Sequence, residues 1–159
     1  NNVLYNLNLF KYSFPLKKLC LQCSLFDCDK SNNINNLLFQ LFICFDIYSI
    51  SSYELRQEAC NYLHHDFPII SGMSTHELLN ITHGNYSKYI SNMRRDNTWG
   101  GAIEIQAICN IFKVRVIVVN IRNRFRNGRE IEFLPVHENY SNTLKITWSG
   151  GHYEPILNN

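Results

Sequence analysis

The chain has 159 residues, of which 45% are hydrophobic and 18% charged, so it can bury the core of one globular domain. Its net charge of +2 is too small to indicate a nucleic-acid or membrane partner through overall electrostatics. The apolar run at 37–50 is interrupted by Gln40 and Asp46 and is shorter than the ~20 residues that span a bilayer. No membrane segment is therefore predicted.

The six cysteines lack the spacing of a small secreted scaffold, which favours a reducing compartment and an intracellular, cytoplasmic location. The composition changes near residue 50. Residues 1–50 are rich in Asn, Leu, Phe, Lys and Cys without clear caps or turns, so we interpret them as a divergent N-terminal segment. One domain is predicted at 51–159.

A first helix is predicted to begin at Ser51 or Ser52, either of which can cap it, and to end before Pro68. Its apolar stripe at helical spacing comprises Leu55, Ala59, Tyr62 and Leu63. This stripe indicates a helix that packs against the core.

Three further helices follow in the chain. The second runs from Ser74 to about Leu79 and opens with a capping-box pattern in which Glu77 can reach back to the cap. The third is expected at about 86–93, and the fourth is a buried helix at 102–112.

Three strands are predicted after the last helix. The run at 114–119 is rich in β-branched residues, 130–134 alternates with period two before Pro135, and 143–148 alternates in the same way. A helix followed by a buried strand indicates an α/β layer. His152 lies just beyond a strand end, where such folds commonly place chemistry.

A basic turn separates the first two strands. It contains Asn127-Gly128 and the arginines Arg122, Arg124, Arg126 and Arg129. Such a cluster is usually a solvated hairpin, but it could instead face an acidic partner or nucleic acid. The sequence leaves both interpretations open.

Five segments occur in order and at sensible spacing: Glu54–Glu58, Tyr89–Met93, Thr98–Ala107, Val114–Val118 and Gly151–Ile156. Together, over about residues 53–157, they resemble the ovarian-tumour (OTU) family of cysteine deubiquitinases. The resemblance implies a papain-like α/β fold with a small central sheet, mostly antiparallel or mixed, flanked by helices. It also implies hydrolysis of isopeptide bonds at the C-terminal tail of ubiquitin or a ubiquitin-like protein. No cofactor or metal is expected.

The family uses a Cys nucleophile, a His base and an acidic or amide residue that orients the His. The resemblance places the base at His152. Glu154 lies two residues later, where residues i and i+2 of a strand point to the same side, so it could orient the ring. Glutamate is an unusual occupant of that position.

The nucleophile position is degenerate. The family carries an Asp-Gly-Asn-Cys-Leu-Phe type of segment, and the nearest match is Ile34–Phe39, which puts Leu37 at the cysteine. Leucine has no group that can attack a carbonyl. Ile34 and Asn35 replace the family's aspartate and glycine. Either the chain is a pseudoenzyme, or the residues before about Ser51 are not the family's natural N-terminal segment.

The other cysteines are poor substitutes for the nucleophile. Cys44 is too close to Arg56, and two aspartates flanking Cys28 would raise its pKa. Cys60 and Cys109 sit in amphipathic patterns and are expected to be core thiols.

The segment Trp99-Gly100-Gly101 is expected either to open a helix as an ordinary turn or to shape the cleft. Glu104 is expected to stabilise the helix start rather than to catalyse. The histidines show no zinc-binding pattern.

Three hypotheses about function follow. The first is an OTU-like ubiquitin isopeptidase domain that lacks its nucleophile, and is inactive as written, unless another cysteine supplies it. The second is a catalytically dead module that binds ubiquitin. The third is an interaction domain whose basic hairpin binds something unrelated to ubiquitin. Contact with nucleic acid or a membrane is not expected.

Overall fold

The computed structural model describes residues 50–122, 129–137, 139–149 and 153–156. Several predicted features lie outside these ranges: Ile34, Asn35, Leu37, His152, the four cysteines before residue 50, and two of the clustered arginines. The helices and strands of the described residues are numbered in chain order. The helices are α1 (Ser52–His64), α2 (Thr75–His83), α3 (Tyr86–Met93) and α4 (Ala102–Phe112). The strands are β1 (Val114–Asn120), β2 (Arg129–Phe133), β3 (Asn142–Trp148) and β4 (Tyr153–Pro155).

Helix α1 begins with a reciprocal cap. The backbone N–H of Glu54 donates to Ser51 Oγ at 3.2 Å, and the Ser51 N–H donates to Glu54 Oε2 at 2.7 Å. The two bonds satisfy donors that the first helical turn leaves without backbone partners. Of the two serines that the sequence offered as caps, Ser51 is the one used.

Helix α2 is longer than the sequence indicated. Its cap is Ser74, as predicted, with the Glu77 N–H donating to Ser74 Oγ at 3.1 Å. The helix continues to His83 instead of stopping near Leu79, and it ends at Gly84, whose φ of 74° is in the left-handed region. Such a glycine satisfies helix-terminal carbonyls at little conformational cost.

The described sheet is mixed, in the order β2-β1-β3-β4. Strand β1 is antiparallel to β2 and parallel to β3, and β3 is antiparallel to β4. The α/β fold class and the small mixed sheet flanked by helices are thereby confirmed.

One face of the sheet packs into the core. Alternate residues of the central strands are buried there: Val114, Val116 and Val118 on β1, and Leu144, Ile146 and Trp148 on β3. Helix α4 packs against β1 and β2, and α1 packs against α4. This arrangement holds both the start of α4 and strand β4 against one core. No helix in the described part of the chain is long and apolar enough to cross a membrane.

Candidate active site

Strands β3 and β4 form the hairpin next to the predicted base. Trp148 pairs with Tyr153, and both side chains are buried in the core. The pair at the next position is Thr147 with Glu154, and the Glu154 side chain is exposed. His152 directly precedes Tyr153 in the chain and lies outside the described residues. The roles of His152 as base and of Glu154 as its orienting partner therefore remain predictions.

The hairpin has a second neighbour at the end of β1. The backbone N–H of Ile121 donates to the Trp148 carbonyl at 2.9 Å, which extends the parallel β1–β3 pairing by one bond. The Arg122 guanidinium lies over the Trp148 ring, 5.4 Å from its centroid. The chain that leaves β1 and the chain that approaches His152 are thus in direct contact.

The Trp99-Gly100-Gly101 segment leads into α4. Trp99 is partly buried against the core, Gly100 is buried, and Gly101 is the N-cap. Gly101 has φ −139°, an extended conformation, and a Cβ added there would have its nearest neighbour, Glu104 Oε2, at 4.0 Å. Backbone freedom therefore does not explain the glycine at this position. The cleft-shaping role of the segment remains a prediction.

Glu104 stabilises the start of α4, as the sequence predicted. Its Oε2 accepts the Gly101 N–H at 2.7 Å, and its other oxygen accepts the Tyr89 hydroxyl at 2.8 Å. The side chain is fully buried. Burial raises the pKa of Glu104, whereas the Gly101 N–H, the Tyr89 hydroxyl and the charge of Arg56 act in the opposite direction.

Arg56 supplies the positive charge near this carboxylate. It is also fully buried, on α1, and donates to the Met93 carbonyl at 2.9 Å. Burial lowers the pKa of Arg56 and the charge of Glu104 opposes that change. Since a buried charge is costly unless it is compensated, the arginine and the glutamate depend on each other.

The buried charges also act on the β3–β4 hairpin. Burial raises the pKa of Tyr153, and the negative charge of Glu104 raises it further. Both effects favour the neutral phenol that tyrosine already has at physiological pH. Glu104 thus links the start of α4 electrostatically to the residue that follows His152.

Neither described cysteine is a plausible nucleophile. Cys60 and Cys109 are unpaired and fully buried, which confirms them as core thiols. Burial raises the pKa of Cys60 to about 12 and also raises that of Cys109. Because the thiolate is the attacking species, both thiols are inert in the native domain. Among the described residues, no cluster of His, Cys, Asp and Glu could hold a metal ion.

Comparison with known proteins adds to this geometry. The profile of the family described as OTU-like cysteine protease matches residues 39–153, which is more than half of the chain. The chain belongs to the OTU-like cysteine protease family. This OTU match includes His152, starts two residues after Leu37, and reaches into the segment before Ser51.

Two rodent proteins are similar to the chain. It is 29% identical over 72 residues to ubiquitin thioesterase OTU1 of Rattus norvegicus, covering 45% of this chain and 20% of the relative. For the Mus musculus protein of the same name, the identity is 29% over 82 residues, with coverages of 52% and 22%. The chain thus spans about a fifth of the length of these relatives.

Solved structures share the fold. An OTU domain in complex with ubiquitin superposes with a TM-score of 0.60 at 20% identity, covering 76% of this chain and 63% of that one. An OTU deubiquitinase from Wolbachia pipientis wMel, bound to ubiquitin, gives 0.56 at 17% identity, with coverages of 78% and 90%. These likenesses establish a common architecture.

The sequence interpretation missed the polar cluster formed by the buried Arg56 and Glu104 with the partly buried Tyr89. A signal for it was present. Arg56 and Cys60 are four residues apart on the buried face of α1, and Glu104 lies between Ile103 and Ile105 in an apolar helix. A charged residue on a buried helical face requires a partner of opposite charge, so the sequence could have predicted that Arg56 and Glu104 are partners.

Proposed function

We propose that this chain is an OTU-type ubiquitin isopeptidase domain that retains the base side of the catalytic cleft and lacks the nucleophile, and that it therefore binds ubiquitin without hydrolysing it. The family match through residues 39–153 carries this proposal, because it runs through His152. Relatives named as ubiquitin thioesterases and structural neighbours bound to ubiquitin support ubiquitin as the partner.

The chemistry explains why one missing group is enough to stop the reaction. In this family a thiolate attacks the amide carbonyl, and the histidine then protonates the departing lysine amine. His152 can supply the second step, with Glu154 holding its ring. Leu37 has neither a proton to give nor a lone pair, so the first step has no attacking atom.

The packing and hydrogen bonding beside the β3–β4 hairpin support retention of binding. Tyr153 is buried in the core, Glu104 is held by two hydrogen bonds, and Arg56 provides a compensating charge. A chain under no constraint to keep this side of the cleft would not need two buried charges, each costly by itself.

Hydrolytic competence is tested with ubiquitin carrying a C-terminal electrophile, followed by intact-mass measurement. The chain as written should form no adduct. Replacing the three degenerate positions together, as Ile34→Asp, Asn35→Gly and Leu37→Cys, should produce one, and adding His152→Ala to that variant should slow it by about a hundredfold or more. An adduct on the unmodified chain, mapped to one cysteine, would show an active enzyme and identify its nucleophile.

Binding is tested separately by adding the unlabelled chain to ¹⁵N-labelled ubiquitin. We expect chemical-shift changes that include the C-terminal tail of ubiquitin and weaken when that tail is removed. If the spectrum of ubiquitin stays unchanged at high concentration of the chain, the binding half of the proposal is wrong.

A further inference from the structure

The feature that the proposed function leaves unexplained is the basic turn between β1 and β2. Residues 121–129 contain four arginines and no acidic residue. Of these four, Arg122 has a described side chain, and it lies beside the β3–β4 hairpin. The position of Arg122 beside this hairpin calls for an explanation in terms of what approaches it.

Arg122 is held in a defined position. Its backbone N–H donates to Asn120 Oδ1 at 3.0 Å, and the preceding Ile121 N–H donates to the Trp148 carbonyl. Its guanidinium makes a cation–π contact with the Trp148 ring. Arg122 is exposed, so guanidinium N–H groups that do not face the ring can reach an acceptor from another molecule. Because these contacts already restrict the Arg122 side chain, it loses less conformational entropy when a ligand binds.

The charge of Arg122 is not used by the ion pairs of the described residues. Those two pairs, Arg115 with Glu132 and Lys145 with Glu130, join side chains of β1, β2 and β3. A carboxylate from another molecule can therefore approach Arg122 without displacing either pair. Carboxylates are suitable ligands, because the arginine fork matches their two oxygens.

The location of Arg122 indicates which molecule would supply the carboxylate. The departing lysine amine takes its proton from the base, so the peptide that bears this lysine must pass on the His152 side of the cleft. Trp148, which Arg122 contacts, lies on the strand that leads to His152. We propose that Arg122 binds an acidic side chain that flanks the ubiquitin-linked lysine and thereby selects conjugates with acidic surroundings.

This inference rests on the proposed function, because it requires that a ubiquitin conjugate binds at the cleft. A nucleic-acid ligand is disfavoured by the small net charge of +2 and by the exposed Glu130 and Glu132 on β2, which follows the turn. An acidic peptide needs one or two well-placed cations, whereas nucleic acid binding usually relies on many phosphate contacts.

The test uses ubiquitin joined through a non-cleavable isopeptide mimic to the lysine of a short fluorescent peptide. One peptide has glutamates on both sides of the lysine and the other has glutamines. We expect the glutamate conjugate to bind the full chain about three- to fivefold more tightly, as measured by fluorescence anisotropy, and this preference to shrink as salt is raised. Arg122→Gln should abolish the preference and leave binding of the glutamine conjugate unchanged.

Two further variants sharpen the result. Arg122→Lys keeps the positive charge but loses the planar pair of guanidinium N–H donors. It should therefore keep only part of the preference for the glutamate conjugate. Lys88→Gln removes the same charge from an exposed position on α3 and should change nothing.

Each outcome is informative. Equal binding of both conjugates, or a preference that survives Arg122→Gln, would overturn the inference while leaving ubiquitin binding intact. If neither conjugate binds, the proposed function fails and the inference fails with it. Tighter binding of a single-stranded oligonucleotide than of either conjugate, lost in Arg122→Gln, would assign the arginine to nucleic acid instead.

Discussion

Removing the hydroxyl group of Tyr89 tests whether the buried carboxylate of Glu104 is important for stability. Tyr89 Oη donates to Glu104 Oε1 at 2.8 Å, and the glutamate is fully buried, so water cannot replace the lost donor. A hydrogen bond to a charged group contributes about 1.5–3 kcal/mol. We expect Tyr89→Phe to lower the free energy of unfolding by that amount near pH 8, measured by urea denaturation with tryptophan fluorescence.

Tyr86 provides a matched control with the same chemical change. Its hydroxyl donates to the carbonyls of Leu63 and His64, at 3.1 and 2.6 Å, and its side chain is only partly buried. Because these acceptors are neutral, Tyr86→Phe should cost about 0.5–1.5 kcal/mol.

The pH dependence gives a second criterion. Burial raises the native pKa of Glu104 above the ordinary value for a glutamate, so the native state binds a proton more readily than the unfolded state. The stabilisation from this group is present at low pH and is lost as pH rises through the native pKa. Losing the Tyr89 donor raises that pKa further, so the cost of Tyr89→Phe should be larger near pH 8 than near pH 5. A cost no greater than that of Tyr86→Phe, and independent of pH, would refute the reasoning.

Two more predictions concern the core thiols and the glycines. Burial raises the pKa of Cys60 to about 12 and also raises that of Cys109. We therefore expect iodoacetamide at about pH 8 to leave both cysteines unmodified in the folded chain and to alkylate both in urea, as measured by peptide mapping. Rapid labelling of either cysteine in the folded chain would contradict its burial. Gly101→Ala should change stability by less than about 0.5 kcal/mol, because Gly101 is extended and the added methyl group has room. Gly84→Ala should cost about 1 kcal/mol, because Gly84 has a φ of 74°. Equal losses of stability in thermal unfolding would show that another constraint acts at Gly101.

Local signals in the sequence predicted most of the secondary structure. The bounds expected for the third and fourth helices agree with α3 and α4, because each has apolar spacing that does not change along its length. The end of α2 was predicted too early. Ile81 is 63% exposed and breaks the apolar periodicity, and the residue that ends the helix is Gly84.

Long-range features could not be read in the same way. Strand β1 pairs in parallel with β3, although β2 comes between them in the chain. This pairing joins residues about 28 positions apart, such as Val116 and Leu144. The approach of Arg56 to Glu104 depends on how α1 crosses α4. For the candidate site, the order of the residues along the chain could be predicted. The contact of Arg122 with Trp148 follows from the strand order and could not be anticipated.

The strand order has a consequence for self-association. In the described part of the sheet, β2 and β4 are outermost, and an outermost strand can recruit a strand from a second molecule. Pro155 has no N–H to donate on β4, and exposed Glu130 and Glu132 occupy β2. Both features discourage edge-to-edge growth. The short strand that follows His152 can therefore form an edge of the described sheet without making the chain prone to aggregate through that edge.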